Sequence, residues 1–236
     1  MSDPIISVII PVHNGGHYLA AAIDSALEQT RLPDEVIVVD DGSADGSAAI
    51  ARSFGPPVRV LTQANLGPAA ARNLGVAQAT GDLLGFLDAD DLWLPDKLTR
   101  QVALLQNDPS FEAVLGGVEN FVSPELDAVQ RHSLGRSASQ SGAHHIGALL
   151  VYKAAFQRIG AFDERWRHGE FIEWWARAME FGLRTVVLGD LVLRRRLHAH
   201  NMTRCEQDGR QTYLPMLREV VARRRAQPGH SEGQVE

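Results

Sequence analysis

The sequence predicts a single-domain α/β protein with a mostly parallel sheet flanked by helices. Up to about residue 120, short β-branched runs alternate with segments of helical periodicity, and this alternation is typical of βαβ units. The strand-like runs are apolar almost throughout, as expected for strands covered on both faces. A length of 236 residues suits one large domain, and no internal repeat is visible.

The first half of the chain is predicted to contain four strands and four helices in alternation. Val and Ile dominate the strand runs, and both favour extended structure. Between these runs, apolar residues recur three and four positions apart, which indicates helices with one buried face. The predicted elements are strand Ile6–Ile10, a helix over Tyr18–Leu27, strand Glu35–Val39, a helix over 46–53, strand Val58–Leu61, a helix over Ala69–Ala79, strand Leu83–Leu87 and a helix over Pro95–Gln106.

A polar segment separates this half from the rest. Residues 123–145 are rich in Ser, Gly, Gln and His, most clearly at Ser137–Gly142, and are predicted to form a mobile loop. The later elements are predicted as a strand over Ile146–Tyr152, helices over 153–159 and 171–181, a strand over Thr185–Leu188, a basic run and a last helix over Thr212–Arg225. One domain is therefore expected over residues 1–225, with residues 226–236 as a flexible tail.

Composition and charge argue against several classes of protein. Residues 1–130 carry 18 acidic and 6 basic side chains, a net charge of −12, whereas residues 131–236 carry +6. An acidic first half argues against a nucleic-acid surface, because phosphates require clustered Lys and Arg. We expect neither a signal peptide nor a membrane span, since the apolar stretch Ile5–Val12 is short. The lone Cys205 fits a reducing, cytoplasmic location.

Polar clusters lie at the ends of the predicted strands, where sheets of this class bind their ligands. The clusters are Pro11-Val-His-Asn14, Asp40-Asp-Gly-Ser43, Asn65-Leu-Gly-Pro68 with Arg72 in the following helix, and Asp88-Ala-Asp-Asp91. Taken alone, Asp40–Ser43 also fits a simple turn, and Arg72 also fits a surface arginine. Four clusters at one edge of the sheet indicate a ligand site.

Asp88 and Asp90 indicate a divalent metal. In an extended segment, residues i and i+2 point to the same side, so the two carboxylates would converge. Adjacent anions repel unless one takes a proton. A hard divalent cation, bound by these oxygens and by a diphosphate, removes the repulsion. The alternative is a solvated acidic turn before a helix.

Further motifs follow in the second half of the chain, and the whole set occurs in order over residues 5–203. The motifs are Ser7-Val-Ile-Ile-Pro-Val-His-Asn14, Val39-Asp-Asp-Gly-Ser43, Asn65-Leu-Gly with Ala71-Arg-Asn-Leu-Gly75, Asp88-Ala-Asp-Asp91, Gly160-Ala-Phe-Asp-Glu164, Gly169-Glu170 with Trp175, and His198-Ala-His-Asn-Met-Thr203. Together they resemble the family 2 glycosyltransferases, inverting enzymes of the Rossmann-like GT-A fold. The resemblance implies a nucleotide-sugar half over residues 1–122 and an acceptor-side half over 123–225.

The resemblance also implies the residues that bind the donor and a metal. The donor set is Pro11, His13, Asn14, Asp40, Asp41, Arg72, Asp88, Ala89 and Asp90. Within it, Asp41 would recognise the base, and His13 stands where the family usually has Tyr. Asp88, Asp90 and His198 would hold Mn²⁺ or Mg²⁺ on the diphosphate, where the ion acts as a Lewis acid.

The chain departs from the family pattern at the catalytic base. The family usually reads Gly-Glu-Asp-x-Asp, and the Asp after the Glu takes the acceptor proton. Here Phe171 occupies that position in Gly169-Glu-Phe-Ile-Glu173. Glu170 and Glu173 are the remaining candidates, with Glu170 favoured. Alternatively, both are acids that the helix dipole favours at a helix N-terminus.

We therefore expect a cytoplasmic, metal-dependent glycosyltransferase. It would transfer a sugar from a nucleotide-diphosphate donor, of which a UDP-sugar is the favoured candidate, to a hydroxyl acceptor with inversion. The acceptor (sugar, lipid-linked or protein) is not identified by the sequence, and peripheral membrane contact through Arg223–Arg225 stays open. The alternative is a non-catalytic nucleotide-sugar-binding module that lost its base at Phe171. A nucleotidyltransferase would need a Gly-rich basic loop after the first strand, which this sequence lacks.

Overall fold

The computed structural model describes residues 3–127, 129–131, 144–198, 201 and 209–226. The strands are β1 (Ile6–Val12), β2 (Glu35–Asp40), β3 (Val58–Thr62), β4 (Leu83–Phe86), β5 (Leu92–Trp93), β6 (Ala113–Val122), β7 (Leu150–Tyr152) and β8 (Thr185–Leu197). The helices are α1 (Gly16–Leu27), α2 (Ser47–Ser53), α3 (Pro68–Gln78), α4 (Lys97–Asn107), α5 (Lys153–Ile159), α6 (Glu170–Glu180) and α7 (Gly209–Ala226), with a 3₁₀ turn at Ile146–Ala148.

The strands form one mixed sheet in the order β3-β2-β1-β4-β7-β6-β8-β5. β1 pairs in parallel with β2 and β4, and β2 pairs in parallel with β3. β8 is parallel to β6, whereas β7 runs antiparallel between β4 and β6 and β5 is antiparallel to β8. The predicted α/β fold with a mostly parallel sheet is confirmed.

Two apolar clusters lie on opposite faces of the sheet, because side chains alternate along each strand. On β1, Val8 and Ile10 belong to the cluster that contains α1 and α4. Ile9 belongs to the other cluster, which contains α3, α5 and α6 and includes Trp174. Burial on both faces explains why the strand runs are apolar almost throughout.

Gly75 allows α3 to pack closely on β1. A Cβ atom at this position would lie only 2.5 Å from Cγ2 of Ile9. Any larger residue would push the helix away from the strand. This contact therefore fixes the position of the helix that carries Arg72.

The second half of the sheet differs most from the prediction. β5 and β6 were not predicted, and β8 continues through the basic run Arg194–Arg196 to Leu197. Contacts across the strands explain the extension. Arg194 forms an ion pair with Glu119 at 2.7 Å, and its guanidinium lies 4.6 Å from the centroid of the Phe121 ring. Such cross-strand pairs offset the weak strand preference of charged residues.

Some sequence predictions lie outside the described residues, namely those for Ser137–Gly142, Cys205 and the tail 227–236. Within the part of the chain that the structure describes, no helix is long and apolar enough to cross a membrane.

Lys97 is buried in the core. It is 1% exposed, and its Nζ donates to Oε1 of Gln101 at 2.6 Å and to the carbonyl of Leu149 at 3.3 Å. The Trp93 ring centroid lies 4.3 Å from Nζ. Burial lowers the pKa of Lys97 well below its ordinary value of 10.5.

We expect Lys97→Met to change how stability depends on pH. Below pH 10.5, the unfolded chain holds the Lys97 proton more tightly than the folded chain does. The free energy of unfolding of the wild type should therefore rise relative to that of the variant as pH increases toward 10.5. Urea unfolding of both proteins from about pH 6 to about pH 9.5 measures this difference. A difference that stays constant over the range would contradict the burial effect.

Candidate active site

A cavity of about 1150 Å³ opens at the carboxyl ends of β1, β2 and β4. It is bounded by the loops that follow these strands, by the N-terminal parts of α3 and α6, and by the segment before the 3₁₀ turn. Each of the four polar clusters singled out in the sequence contributes to its lining. The structure thus brings these clusters together where open α/β sheets bind ligands.

His13 connects the loops that follow β1, β2 and β3. Its Nδ1 lies 2.8 Å from the carbonyl oxygen of Asp41. Because a carbonyl only accepts, Nδ1 carries the proton and Nε2 is the acceptor. Nε2 accepts hydrogen bonds from Nδ2 of Asn14 at 3.1 Å and from Nδ2 of Asn65 at 3.2 Å. The imidazole is therefore fixed in the cavity wall.

The turn after β1 is held against the loop after β2. Asn14 has a φ of 51°, in the left-handed region that Asn tolerates better than most residues. Its backbone N–H donates to Oγ of Ser43 at 2.9 Å, and its Oδ1 accepts from the N–H of Ala44 at 2.8 Å. Pro11, at the end of β1, lines the cavity beside this turn.

The two acids after β2 serve different purposes. Asp41 is 3% exposed, and its carboxylate accepts the backbone N–H groups of Leu66 at 2.9 Å and Gly67 at 2.8 Å, and Nε2 of Gln63 at 2.7 Å. It thereby fixes the loop that leads into α3. Oδ1 of Asp40 accepts the backbone N–H of Ser43 at 3.2 Å, and Asp40 is not among the described residues that line the cavity. Its expected contact with the donor stays a prediction.

Residues 88–91 form a turn, which corrects the extended geometry assumed from the sequence. The backbone N–H of Asp91 donates to the carbonyl of Asp88 at 3.1 Å. As a result, Asp88 groups with Asp91 and His145, and their ligand atoms lie within 4.8 Å of one another. Nε2 of His145 is 4.0 Å from Oδ2 of Asp88 and 3.9 Å from Oδ2 of Asp91.

Asp90 and His198 bind each other and are not part of this group, so the expected metal set of Asp88, Asp90 and His198 stays a prediction. Oδ2 of Asp90 lies 2.9 Å from Nε2 of His198 and accepts Nδ2 of Asn201 at 3.2 Å. The His198 ring is 4.7 Å from that of Tyr18. Both residues of this pair line the cavity.

The electrostatics of the acidic turn suit a bound cation. Burial, and then the charges of Asp90 and Asp88, raise the pKa of Asp91 well above its ordinary value. At Asp88 burial, the largest single cause, acts in the same direction. The charge and hydrogen bond of Arg72, together with the charges of His145 and Arg195, outweigh it and lower the pKa of Asp88. Burial lowers the pKa of His145, which favours the neutral ring that binds metals. Two carboxylates and an imidazole therefore fit a divalent cation.

Arg72 lies beneath the cavity and bridges two acids. It is 4% exposed. Nη2 donates to Oδ1 of Asp88 and Nη1 donates to Oε1 of Glu170, both at 2.5 Å. The guanidinium thus joins the end of β4 to the start of α6. Arg72 also lines the cavity, so its expected approach to the nucleotide stays a prediction.

The family model described as Glycosyl transferase family 2 matches residues 7–166 of the chain. The chain belongs to this family. The family 2 chain is 30% identical over 218 residues to an uncharacterized glycosyltransferase of Rickettsia prowazekii, covering 85% of this chain and 66% of that protein. An Escherichia coli relative named UDP-Glc:alpha-D-GlcNAc-diphosphoundecaprenol beta-1,3-glucosyltransferase WfgD is 37% identical over 114 residues, which are 47% of this chain and 45% of that protein. The family 2 chain therefore spans less than two thirds of the length of these relatives.

Solved structures share the fold of the family 2 chain. TarS residues 1–349 of S. aureus, in complex with UDP-GlcNAc, superpose with a TM-score of 0.74 at 18% identity, covering 96% of this chain and 68% of that one. The same TarS fragment in complex with UDP gives a TM-score of 0.69 at 19% identity. These likenesses confirm the fold that the resemblance implied.

The structure separates the two candidate bases of the family 2 chain. Glu170 lines the cavity at the start of α6. Glu173, one turn later, forms ion pairs with Arg177 at 3.0 Å and Arg223 at 2.9 Å, and is not among the lining residues in the described ranges. Arg223 thus holds α7 on α6, and the membrane contact considered for Arg223–Arg225 stays a prediction.

Phe171 occupies an apolar environment. It is 7% exposed, and its ring centroid lies 6.4 Å from that of Trp174 and 5.9 Å from that of Trp175. One edge of Phe171 reaches the cavity lining. The residue at the usual base position therefore belongs mainly to the core.

His145 and Asp91 are not among the residues that the sequence predicts for the metal. The pair His144-His145 before the apolar segment Ile146–Tyr152 is the signal in the sequence that could have pointed to this group. The distance from His145 to Asp91 depends on the antiparallel pairing of β7 with β4, which local periodicity does not reveal.

We expect Asp41→Asn to lower the free energy of unfolding of the family 2 chain by about 2–3 kcal/mol. An amide in this position retains one acceptor oxygen and presents an N–H group to the donors of the loop. Urea unfolding measures the loss. Asp127→Asn is the matched control, because Asp127 is exposed and, within the described residues, its carboxylate accepts only the N–H of Gln130 at 2.8 Å. Equal effects of the two substitutions would contradict the role of Asp41.

Proposed function

We propose that this chain transfers a sugar from a UDP-sugar to a hydroxyl acceptor with inversion, assisted by a divalent metal. Family membership and the shared fold of a UDP-GlcNAc complex support this activity, and the UDP-Glc in the name of WfgD supports the nucleotide. The observation that carries the proposal is that one cavity combines a polar loop pocket, an acid–imidazole cluster and Glu170. A cytoplasmic location is part of the proposal.

The loops after β1, β2 and β3 would bind the nucleotide. His13 offers a flat ring whose orientation is fixed by hydrogen bonds, and rings of this kind stack on bases. Pro11 and Asn14 lie beside it in the lining. Asp41 would accept the ring N–H of uracil with a lone pair that the loop donors leave unused.

The acidic turn would hold the metal and the diphosphate. Asp88, Asp91 and His145 are the ligands that the geometry favours, and Ala89 and Asp90 line the same wall. When bound, a divalent cation supplies Lewis-acid stabilisation of the leaving diphosphate. Oδ1 of Asp88 is held by Arg72, so Oδ2 is the oxygen that faces His145.

Glu170 would take the proton from the acceptor hydroxyl. Its Oε1 is bound to Arg72, and within the described residues its Oε2 makes no hydrogen bond. As the proton passes to the carboxylate, the hydroxyl oxygen attacks the anomeric carbon and the bond from that carbon to the diphosphate oxygen breaks. Attack from the face opposite the leaving group inverts the anomeric configuration.

A second candidate function is nucleotide-sugar binding without turnover. It is favoured by one observation: Phe171, at the usual base position, is packed against Trp174 and Trp175. Turnover that is lost on substitution of Glu170 would support sugar transfer over binding without turnover.

We expect Glu170→Gln to reduce kcat for UDP-sugar hydrolysis or transfer by about 10²–10⁴-fold, the usual contribution of a general base. Release of UDP from a panel of UDP-sugars with Mn²⁺ measures the rate. Glu173→Gln is the control on the same helix, since its carboxylate pairs with Arg177 and Arg223. It should lower thermal stability and leave kcat within about threefold of wild type. Full activity of the Glu170 variant would contradict the assignment.

The metal site is tested by comparing two pairs of variants. Asp91→Asn and His145→Ala should each weaken Mn²⁺ binding by about tenfold or more, because each removes a ligand. Asp90→Asn and His198→Ala should change it by less than about threefold, because these residues bind each other. Isothermal titration calorimetry with Mn²⁺ and UDP reads the affinities. If the Asp90 and His198 variants weaken Mn²⁺ binding more than the Asp91 and His145 variants do, the metal ligands are Asp88, Asp90 and His198 instead.

A further inference from the structure

Arg72 binds one oxygen of each of two carboxylates and leaves the second oxygen of each for other partners. Nη2 binds Oδ1 of Asp88 and leaves Oδ2 on the side of His145. Nη1 binds Oε1 of Glu170, and Oε2 of that residue makes no hydrogen bond within the described residues. Both held oxygens lie 2.5 Å from the guanidinium. One cation therefore sets the orientation of the acids on the donor side and the acceptor side of the cavity.

The guanidinium is itself held in place. Arg72 is 4% exposed and belongs to α3, whose distance from β1 is fixed by the contact between Gly75 and Ile9. Its Nε is buried, and within the described residues it has no hydrogen-bond partner. The two terminal nitrogens, which reach furthest from the helix, both contact carboxylates. This geometry favours a role toward the two acids over a direct contact with the nucleotide.

We propose that Arg72 is a positioning residue that aligns Glu170 for proton transfer and Asp88 for the metal. This inference rests on the proposed function. A planar guanidinium can hold two carboxylates at a fixed angle, which a flexible ammonium does less well. Misalignment of a base by about 1 Å lowers a rate strongly, so the effect of Arg72 should fall on kcat.

The test is steady-state kinetics of UDP release by the wild type, Arg72→Met, Arg72→Lys, Glu170→Gln and the Arg72→Met/Glu170→Gln double variant. We expect Arg72→Met to lower kcat about 100-fold with the donor KM within about threefold of wild type, and Arg72→Lys to recover at least about tenfold of that loss. In the Glu170→Gln background, Arg72→Met should cause a smaller loss than it does in the wild type, because the part of its effect that acts through Glu170 is already absent. Arg59→Met, which breaks the ion pair with Glu35, is the control away from the cavity.

Several results would overturn the inference. A raised donor KM with an unchanged kcat would assign Arg72 to the nucleotide, and multiplicative losses in the double variant would separate Arg72 from Glu170. Either result leaves the proposed function intact. Full activity of Glu170→Gln, in contrast, would contradict both the proposed role of Glu170 and the inference about Arg72. If Arg72→Met does not fold, Arg72→Lys provides the same distinction between KM and kcat. A crystal structure of a folded variant gives a readout without turnover: displaced Glu170 and Asp88 carboxylates support positioning, and unmoved ones contradict it.

Discussion

The ion pairs of Arg72 with Asp88 and Glu170 connect the two halves of the chain at the cavity. Asp88 follows β4, Glu170 begins α6, and the guanidinium between them is 4% exposed. A charge at that depth without a partner is strongly destabilising, so each of the three groups depends on the others. The position of Arg72 depends in turn on the close contact of Gly75 with Ile9. The packing of one helix on one strand therefore decides where both carboxylates lie.

The excess of acids in the first half has two distinct structural origins. Asp40 and Asp41 accept hydrogen bonds from loop groups and shape the walls of the cavity. Asp88 and Asp91 lie on a turn with His145, where burial and mutual repulsion raise the pKa of Asp91. Net charge alone does not distinguish acids that fix loops from acids that group with an imidazole at the cavity. The hydrogen-bond donors around each carboxylate make the distinction.

Much of the fold and part of the site follow from local patterns in the sequence. Apolar runs and helical spacing predict β1–β4 and the helices between them, because burial on both faces leaves a clear signal. The extended geometry assumed for Asp88–Asp90 was wrong, because the chain turns there. His145 reaches Asp91 only through strand pairing. Likewise β8 passes through Arg194–Arg196 because of contacts with β6, which no single segment encodes.

A crystal structure with Mn²⁺ and UDP is the most direct test of this account. We expect anomalous density for the ion within bonding distance of Asp88, Asp91 and His145, uracil against His13, and Arg72 still bound to Glu170. An ion placed between Asp90 and His198, or an Arg72 guanidinium turned onto the diphosphate, would contradict the arrangement. UDP bound outside this cavity would contradict the proposed function itself.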